Sequence, residues 1–449
     1  MKSEIKNIRV HTLTPVHIGD GTEYQPSNFY IDNGELCEFE VSELFKTFND
    51  AEKKEFYNVC QNPDSFSLQK LMKLSFNKKP ESFKKTKVAS SIAQTYRKCL
   101  ENKKENEISQ FGIKKTVQNP NTRRAYIPGS SLKGAVRTGF ISSLTKNKHN
   151  FIDEKKLLGE FHEDVFTTFK VSDFVPPQDI KTSAHWAIRV RKKERKDGKN
   201  GGVPVMLESI NPGSVFEGSI SLIGGMDTKI KITAIEDILN KLEEYSKSVL
   251  GEYPLITDIG KIQKSFNNKT YLCRLGGYIG AESHTIEGYR EIEIRNPKKP
   301  RDIRAESTMN LYASQAKDSL STKKIPFGWC LIEVLGGDSA VLENAELKNF
   351  IADQASVSSS NPVSPNVAAP QTARSSVSAA APVVQAPRSI IVKIDKIQKA
   401  GAKYGVCKED FSGSGFMETT VILQTGDKCE VQFLGKSGIH CKYKFLKKL

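Results

Sequence analysis

The chain has 449 residues, 67 Lys and Arg against 52 Asp and Glu, a formal net charge of +15, and 38% hydrophobic residues. Two or three domains are expected at this length, and the basic balance favours a polyanionic partner: nucleic acid first, then an acidic membrane surface or an acidic protein. No apolar run approaches the roughly 20 residues that span a bilayer, the N-terminal MKSEIKNIRV has no signal-peptide core, and the eight cysteines show neither C-x-x-C spacing nor a His at zinc-finger distance. The expectation is a reduced, cytoplasmic protein with no metal, no cofactor and no membrane partner.

In chain order, Ile5 to Leu13 is rich in β-branched residues and reads as a strand that Thr14-Pro15 ends. A glycine-bearing loop, VHIGDG, follows. Phe29-Tyr30-Ile31, Asp32-Asn33-Gly34 and Leu36 to Phe39 read as a hairpin, because Asn-Gly favours the tight hairpin turn. Residues 41–110 are polar and read as helical, with Leu68, Leu71 and Met72 near helical spacing. Tyr126-Ile127-Pro128-Gly129 is an extended entry into a helix. AHWAIRVRKK, DGKNGG and VPVMLESI read as a long hairpin with a basic tip. Asn211-Pro212-Gly213 turns into a strand, VFEGSISLIG. A helix is expected over about 234–250, with Ile235, Ile238, Leu239, Leu242 and Tyr245 on one face. A glycine-rich loop, RLGGYIGAESHTI, occupies 274–286, and PFGWCLIEVL at 326–335 reads as a buried strand. The order strand, loop, hairpin, helix, strand recurs in each half and implies two α+β units of the split β-α-β type, over 1–178 and 179–351. Residues 352–388 hold five prolines and no aromatic residue, the composition of a disordered linker. The tail, 389–449, alternates short β-rich runs with glycines and carries 11 Lys against 6 Asp and Glu. A small β-barrel or open sheet fits, the oligonucleotide-binding barrel being one candidate.

Chemistry-bearing residues gather in four places. Ser130 or Ser131 is a suitable N-cap for the helix beginning in IPGSSLKGAVR. A helix start offers unpaired N–H groups to an anion. Lys133 and Arg137 share one face of that helix, and Arg123 and Arg124 lie upstream. Several cations must act together to grip phosphate, since one dipole contact contributes only about 0.3–1 kcal/mol. A capped helix with solvated cations reads equally well. Gly276 and Gly277, beside Arg274 and His284, fit no Rossmann or P-loop pattern; they either let a ligand approach the backbone or form a tight turn. Arg189, Arg191, Lys192, Lys193, Arg195, Lys196 and Lys199 give the long hairpin a basic arm or a solvated loop. His17, near His11, is either a general base or a hydrogen-bonding and stacking residue. No H-E-x-x-H, paired-carboxylate motif or nucleophile elbow is present.

Together LTPVHIGDG, YIPGSSLKGAVRT, RLGGYIG and PFGW resemble the RAMP superfamily of CRISPR proteins over about residues 5–337. Their order and spacing are most similar to the Csm-type subunit that caps the guide-RNA 3′ end in type III-A effector complexes. The resemblance implies two ferredoxin-like, RRM-related domains with a thumb-like β-hairpin. It also implies binding without cleavage at the distal end of the guide, and a role in crRNA maturation. Its implied partners are crRNA and target RNA, other Csm backbone subunits, and host nucleases. Carried over by motif, the implied RNA contacts are His17, Gly19, Ser130, Ser131, Lys133, Arg137, Gly276 and Gly277. The basic pattern adds Arg123, Arg124, Arg191, Lys193 and Arg274. The alternatives are a metal-independent endoribonuclease with His17 as base, and a protein–protein adaptor. The linker and the β-rich tail depart from the family pattern.

Overall fold

A computed structural model describes residues 3–61, 65–101, 111–145, 153–193, 202–225, 227–249, 269–294, 302–317, 323–336 and 345–355, and most of 389–448. It divides into two compact units, Met1–Pro365 and Asn366–Leu449. No helix among the described residues is long and apolar enough to cross a membrane.

The body opens with β1 (Glu4–Thr12), β2 (Gly19–Glu23), β3 (Phe29–Asp32), β4 (Glu35–Glu38), α1 (Val41–Lys46), α2 (Asp50–Gln61), α3 (Ser65–Lys78), β5 (Lys84–Val88), α4 (Ser90–Glu101) and β6 (Ile113–Thr116). Next come α5 (Gly129–Thr145), α6 (Glu154–Leu158), β7 (Phe169–Val171), β8 (Thr182–Arg191), β9 (Val205–Ile210), β10 (Val215–Leu222) and α7 (Ile235–Val249). It closes with β11 (Thr270–Arg274), β12 (Ile292–Ile294), β13 (Asp302–Arg304), β14 (Met309–Ser314), β15 (Ile325–Pro326), β16 (Trp329–Val334) and α8 (Ala345–Ala355).

Two sheets organise the body, and the fold is α+β. The first has the order β11-β16-β1-β10-β7, with every pair antiparallel. Ile8 and Val10 of β1 alternate into a core with Phe216, Ile220 and Ile332 of its neighbours. Leu132, Val136 and Phe140 of α5 and Ile238 and Leu242 of α7 complete that core. The two helices touch at Gly139, where a Cβ would stand 2.9 Å from the Leu242 Cα, so only glycine permits this approach. The second sheet has the order β2-β6-β9-β8-β5-β4-β3, with β14 on β8 and β15 on β14. Phe29, Ile31, Ile113, Trp186 and Met206 pack there against Ile92 and Tyr96 of α4. The segments 1–178 and 179–351 both contribute strands to both sheets.

The hairpin of Asn33-Gly34 forms as expected, with both turn residues at positive φ (48° and 77°). The long hairpin pairs β8 with β9, but its basic tip, with Arg195, Lys196 and Lys199, lies outside the described residues. The helical expectation over 41–110 needs correction. β5 interrupts the described part, pairing β4 antiparallel and β8 in parallel. Thr86 and Val88 are buried while Lys85 and Lys87 are exposed, a two-residue period that the lysine-rich composition hides. The linker boundary also moves: α8 runs to Ala355, so 352–355 are helical, and 356–388 lie outside the described residues.

The tail contains β17 (Ser389–Lys399), β18 (Lys403–Lys408), β19 (Ser414–Glu418), β20 (Lys428–Ser437) and β21 (His440–Lys448), a closed barrel in the order β17-β18-β19-β21-β20. Ile394, Met417, Cys429 and Val431 are buried in it.

Candidate nucleic-acid interface

Three of the motifs meet in space. As the chain leaves β1, the Leu13 amide donates to the Trp329 carbonyl (2.9 Å) and the Trp329 amide donates to the Thr14 hydroxyl (2.9 Å). The Gly328 amide donates to the Pro15 carbonyl (2.9 Å), and the Leu275 amide to the Gly328 carbonyl (2.8 Å). The Gly277 amide donates to the His17 carbonyl (2.7 Å). LTPVHIG, RLGG and PFGW thus form one junction. Two glycines are obligatory there. Gly276 (φ 92°) lies so close that a Cβ would overlap the His17 carbonyl oxygen. Gly328 (φ 89°) would bring a Cβ to 2.5 Å from the Leu275 carbonyl oxygen.

His17 sits at the centre, only 3% exposed. Its Nδ1 lies 2.6 Å from the Glu208 carbonyl oxygen, which can only accept, so Nδ1 carries the proton and Nε2 is the acceptor. Burial lowers its pKa against the pull of the Glu208 carbonyl, so the ring is neutral at pH 7. Tyr278 meets the ring edge-on, with centroids 5.5 Å apart. A Cβ at Gly19 would stand 2.9 Å from Nε2. Beyond Gly19, β2 is exposed along its whole length. Lys114 of neighbouring β6 places its Nζ 6.0 Å from the Tyr278 ring centroid.

Beneath His17 lies a polar network that the sequence reading missed. Glu208 is fully buried in β9. Its carboxylate accepts from Lys84 Nζ (2.5 Å), Thr182 Oγ1 (2.6 Å) and Tyr24 Oη (3.0 Å). Burial pushes its pKa up, but Lys84 and these hydrogen bonds outweigh burial and hold it below 4.5. Lys115 pairs with buried Glu38 at 2.5 Å and lies 4.8 Å from the Tyr24 ring centroid. Burial, followed by the charges of Glu208 and Glu38, raises the Tyr24 pKa well above 10. The one available signal was an acid inside the apolar run VMLESI.

The remaining expected residues lie elsewhere or inward. α5 begins at Gly129, so Ser130 and Ser131 occupy its first turn and neither is its N-cap. Asp173 Oδ1 accepts from the Gly129 amide instead (2.8 Å). The strand end at Val171 and Ser172 presses so close on Gly129 that a Cβ there would meet both carbonyls, and this carries Asp173 to the helix start. Lys133 Nζ donates to the Phe166 carbonyl (2.7 Å), and burial lowers its pKa. Arg137 donates to Asp164 (2.7 Å) and Glu154 (2.9 Å). Both cations therefore tie α5 to the segment 154–166. Arg123 pairs with Glu40 and stacks on Phe83 (3.7 Å), and Arg124 pairs with Asp179 (2.5 Å). Arg274 is buried, donating to the Phe327 carbonyl (2.7 Å) above the Trp329 ring. Arg191 is half-buried and Lys193 exposed at the end of the β8 arm. Among the described residues Lys114, Arg189 and Lys193 make no ion pair. His17, Gly19, Arg274, Gly276 and Gly277 thus come together, while Ser130, Ser131, Lys133 and Arg137 form a separate group on α5.

The RAMP superfamily model matches residues 9–307 of this chain. The CRISPR system protein Csm5 of Streptococcus thermophilus is 26% identical over 313 residues, covering 64% of this chain and 82% of that protein. Csm5 of Methanocaldococcus jannaschii is 29% identical over 233 residues, covering 46% of this chain and 50% of that protein. A chain from a cryo-EM structure of a Csm–crRNA–target RNA ternary complex of a type III-A CRISPR-Cas system shares the fold. Its TM-score is 0.52 at 15% identity, covering 74% of this chain and 100% of that one. The chain belongs to the RAMP superfamily, as a Csm5-like CRISPR protein.

Proposed function

We propose that the protein is a non-catalytic RNA-binding subunit of a type III-A Csm effector complex, capping the backbone filament at the crRNA 3′ end and needed for crRNA maturation. Its partners in this reading are crRNA, target RNA and the neighbouring backbone subunits, with host nucleases recruited for trimming. The observation that carries the reading is the stitching of LTPVHIG, RLGG and PFGW into one junction, beside an exposed strand and Lys114. Arg189 and Lys193 lie along and just beyond β8, and none of these three cations makes an ion pair among the described residues. The similarity to Csm5 supports it. Within the first sheet, β16-β1-β10-β7 with α5 and α7 as crossovers follows the 4-1-3-2 order of a ferredoxin-like unit, which supports the first of two such domains. The second would be built on the large sheet, with the β8–β9 arm as the thumb.

Phosphate contacts weaken as salt rises, by about 0.7 in log–log slope per neutralised phosphate on a single strand. The triple variant Lys114→Ala, Arg189→Ala, Lys193→Ala is expected to bind unrelated RNAs uniformly more weakly, with a slope lower by about 2. An unchanged affinity and slope would count against the groove.

One observation favours the nuclease reading: the fixed tautomer leaves Nε2 of His17 as a proton acceptor. Against it, the ring is buried, and Nε2 has no hydrogen-bond partner among the described residues. RNA cleavage that persists in EDTA and vanishes in His17→Ala would establish that reading.

A further inference from the structure

We propose that the C-terminal barrel is a separate binding module for single-stranded nucleic acid. Its five strands stand in the spatial order first, second, third, fifth, fourth, and the first closes on the fourth. The third and fifth, β19 and β21, run parallel, while every other pair is antiparallel. A simple up-and-down barrel would set the fourth strand beside the third and contain no parallel pair. The observed connectivity is that of the oligonucleotide-binding barrel, in which ligands lie across the second and third strands, between the first–second and fourth–fifth turns.

Connectivity alone names no ligand, since such barrels also hold oligosaccharides. Charge narrows the choice. Residues 389–449 carry 11 Lys against 6 Asp and Glu, an excess of 5, which is one third of the net +15 in about one seventh of the chain. A polyphosphate backbone uses that excess and a neutral sugar does not. Register places the relevant residue types on the ligand strands β18 and β19 and on β21 beside them. Phe416 of β19 stands opposite Gly405 of β18 on one side and opposite Lys442 of β21 on the other. Glu418 stands opposite Lys403 and Lys444. An aromatic residue among lysines, with a glycine that admits close backbone approach, is what single strands require: a stacking platform and phosphate neutralisation.

The test uses the full chain and fluorescence anisotropy with labelled 12-mers of oligo(U) and oligo(dT), competed with a duplex of the same length. Binding of either single strand, with weak competition by duplex, is expected; binding of neither overturns the proposal. The triple variant Lys403→Glu, Lys442→Glu, Lys444→Glu is expected to lose at least about tenfold in affinity and about 2 in salt slope. The same charge change on the body, Lys46→Glu, Lys155→Glu, Lys231→Glu, is expected to stay within about twofold. Phe416→Ala is expected to lower affinity with the slope unchanged. Ultraviolet cross-linking of the unmodified chain, read by peptide mapping, covers the case in which the triple variant does not fold. Cross-links within 389–449 support the module, and cross-links confined to residues 1–355 overturn it. Loss of body binding in the Lys114, Arg189 and Lys193 variant leaves the tail cross-links in place, so the two readings fail separately.

Discussion

Glu208 is a fully buried ionised carboxylate, and a buried charge is tolerated only when it is paired and hydrogen-bonded. Lys84, Thr182 and Tyr24 meet that condition, and the same residue's carbonyl fixes the tautomer of His17. Glu208→Ala leaves Lys84 unpaired, so it is expected to cost about 3 kcal/mol, read from urea unfolding; a loss below about 1 kcal/mol would mean that water replaces the carboxylate. Acid sensitivity is expected to have a histidine component. His185 is buried, donating to or accepting from Ser209 Oγ at 2.7 Å, and burial pushes its pKa to about 3. Below pH 6.5 the unfolded chain takes up a proton that the folded chain refuses, so stability falls with pH by about 1.4 kcal/mol per unit until pH 3. Glu208 has a depressed pKa, so its contribution is intact above 4.5 and is lost only below that value. His185→Phe is therefore expected to flatten the slope of unfolding free energy between pH 6.5 and 4.5; an unchanged slope would contradict the buried neutral ring. His17 was legible as a special residue because it sits in a glycine-flanked motif. Glu208 was not, because its partner Lys84 lies 124 positions away and no local pattern pairs them.

Helix α5 and the glycine junction show what local pattern can and cannot specify. The amphipathic period and the Asn33-Gly34 turn depend on neighbours in sequence, so α7, β3 and β4 were readable within a residue or two. The cap of α5 depends on a strand that arrives from 44 residues on, so the hydroxyls of Ser130 and Ser131 were the natural but incorrect choice. Asp173→Ala is expected to cost about 1 kcal/mol in thermal or urea unfolding, and Ser130→Ala or Ser131→Ala close to nothing. Equal costs at all three would contradict the assigned cap. The two glycines of the junction are expected to behave differently. At Gly276 a methyl group meets the His17 carbonyl at positive φ, so Gly276→Ala should cost at least about 1 kcal/mol. At Gly277 the methyl would sit 3.6 Å from the His17 ring, an ordinary contact, and Gly277→Ala should be nearly neutral. A reversed order would place the close approach at the wrong glycine.

At the scale of the whole chain, the two sheets each draw strands from distant segments, β1 pairing with β10 and β16 across more than 200 residues. That exchange is invisible to a linear reading, which sees only two similar successions of elements. The family motifs carried the functional reading further than the cations did. The motif residues His17, Gly276 and Gly277 converge, whereas Lys133, Arg137, Arg123 and Arg124 are tied to neighbouring groups of the fold. In the proposed function this convergence holds RNA and does not cut it. Purified protein incubated with end-labelled guide RNA in EDTA, over a salt series, tests it most directly. Intact RNA is expected, with a log affinity that falls linearly with log salt. Cleaved RNA with His17→Ala inactive, or affinity flat in salt, would contradict it.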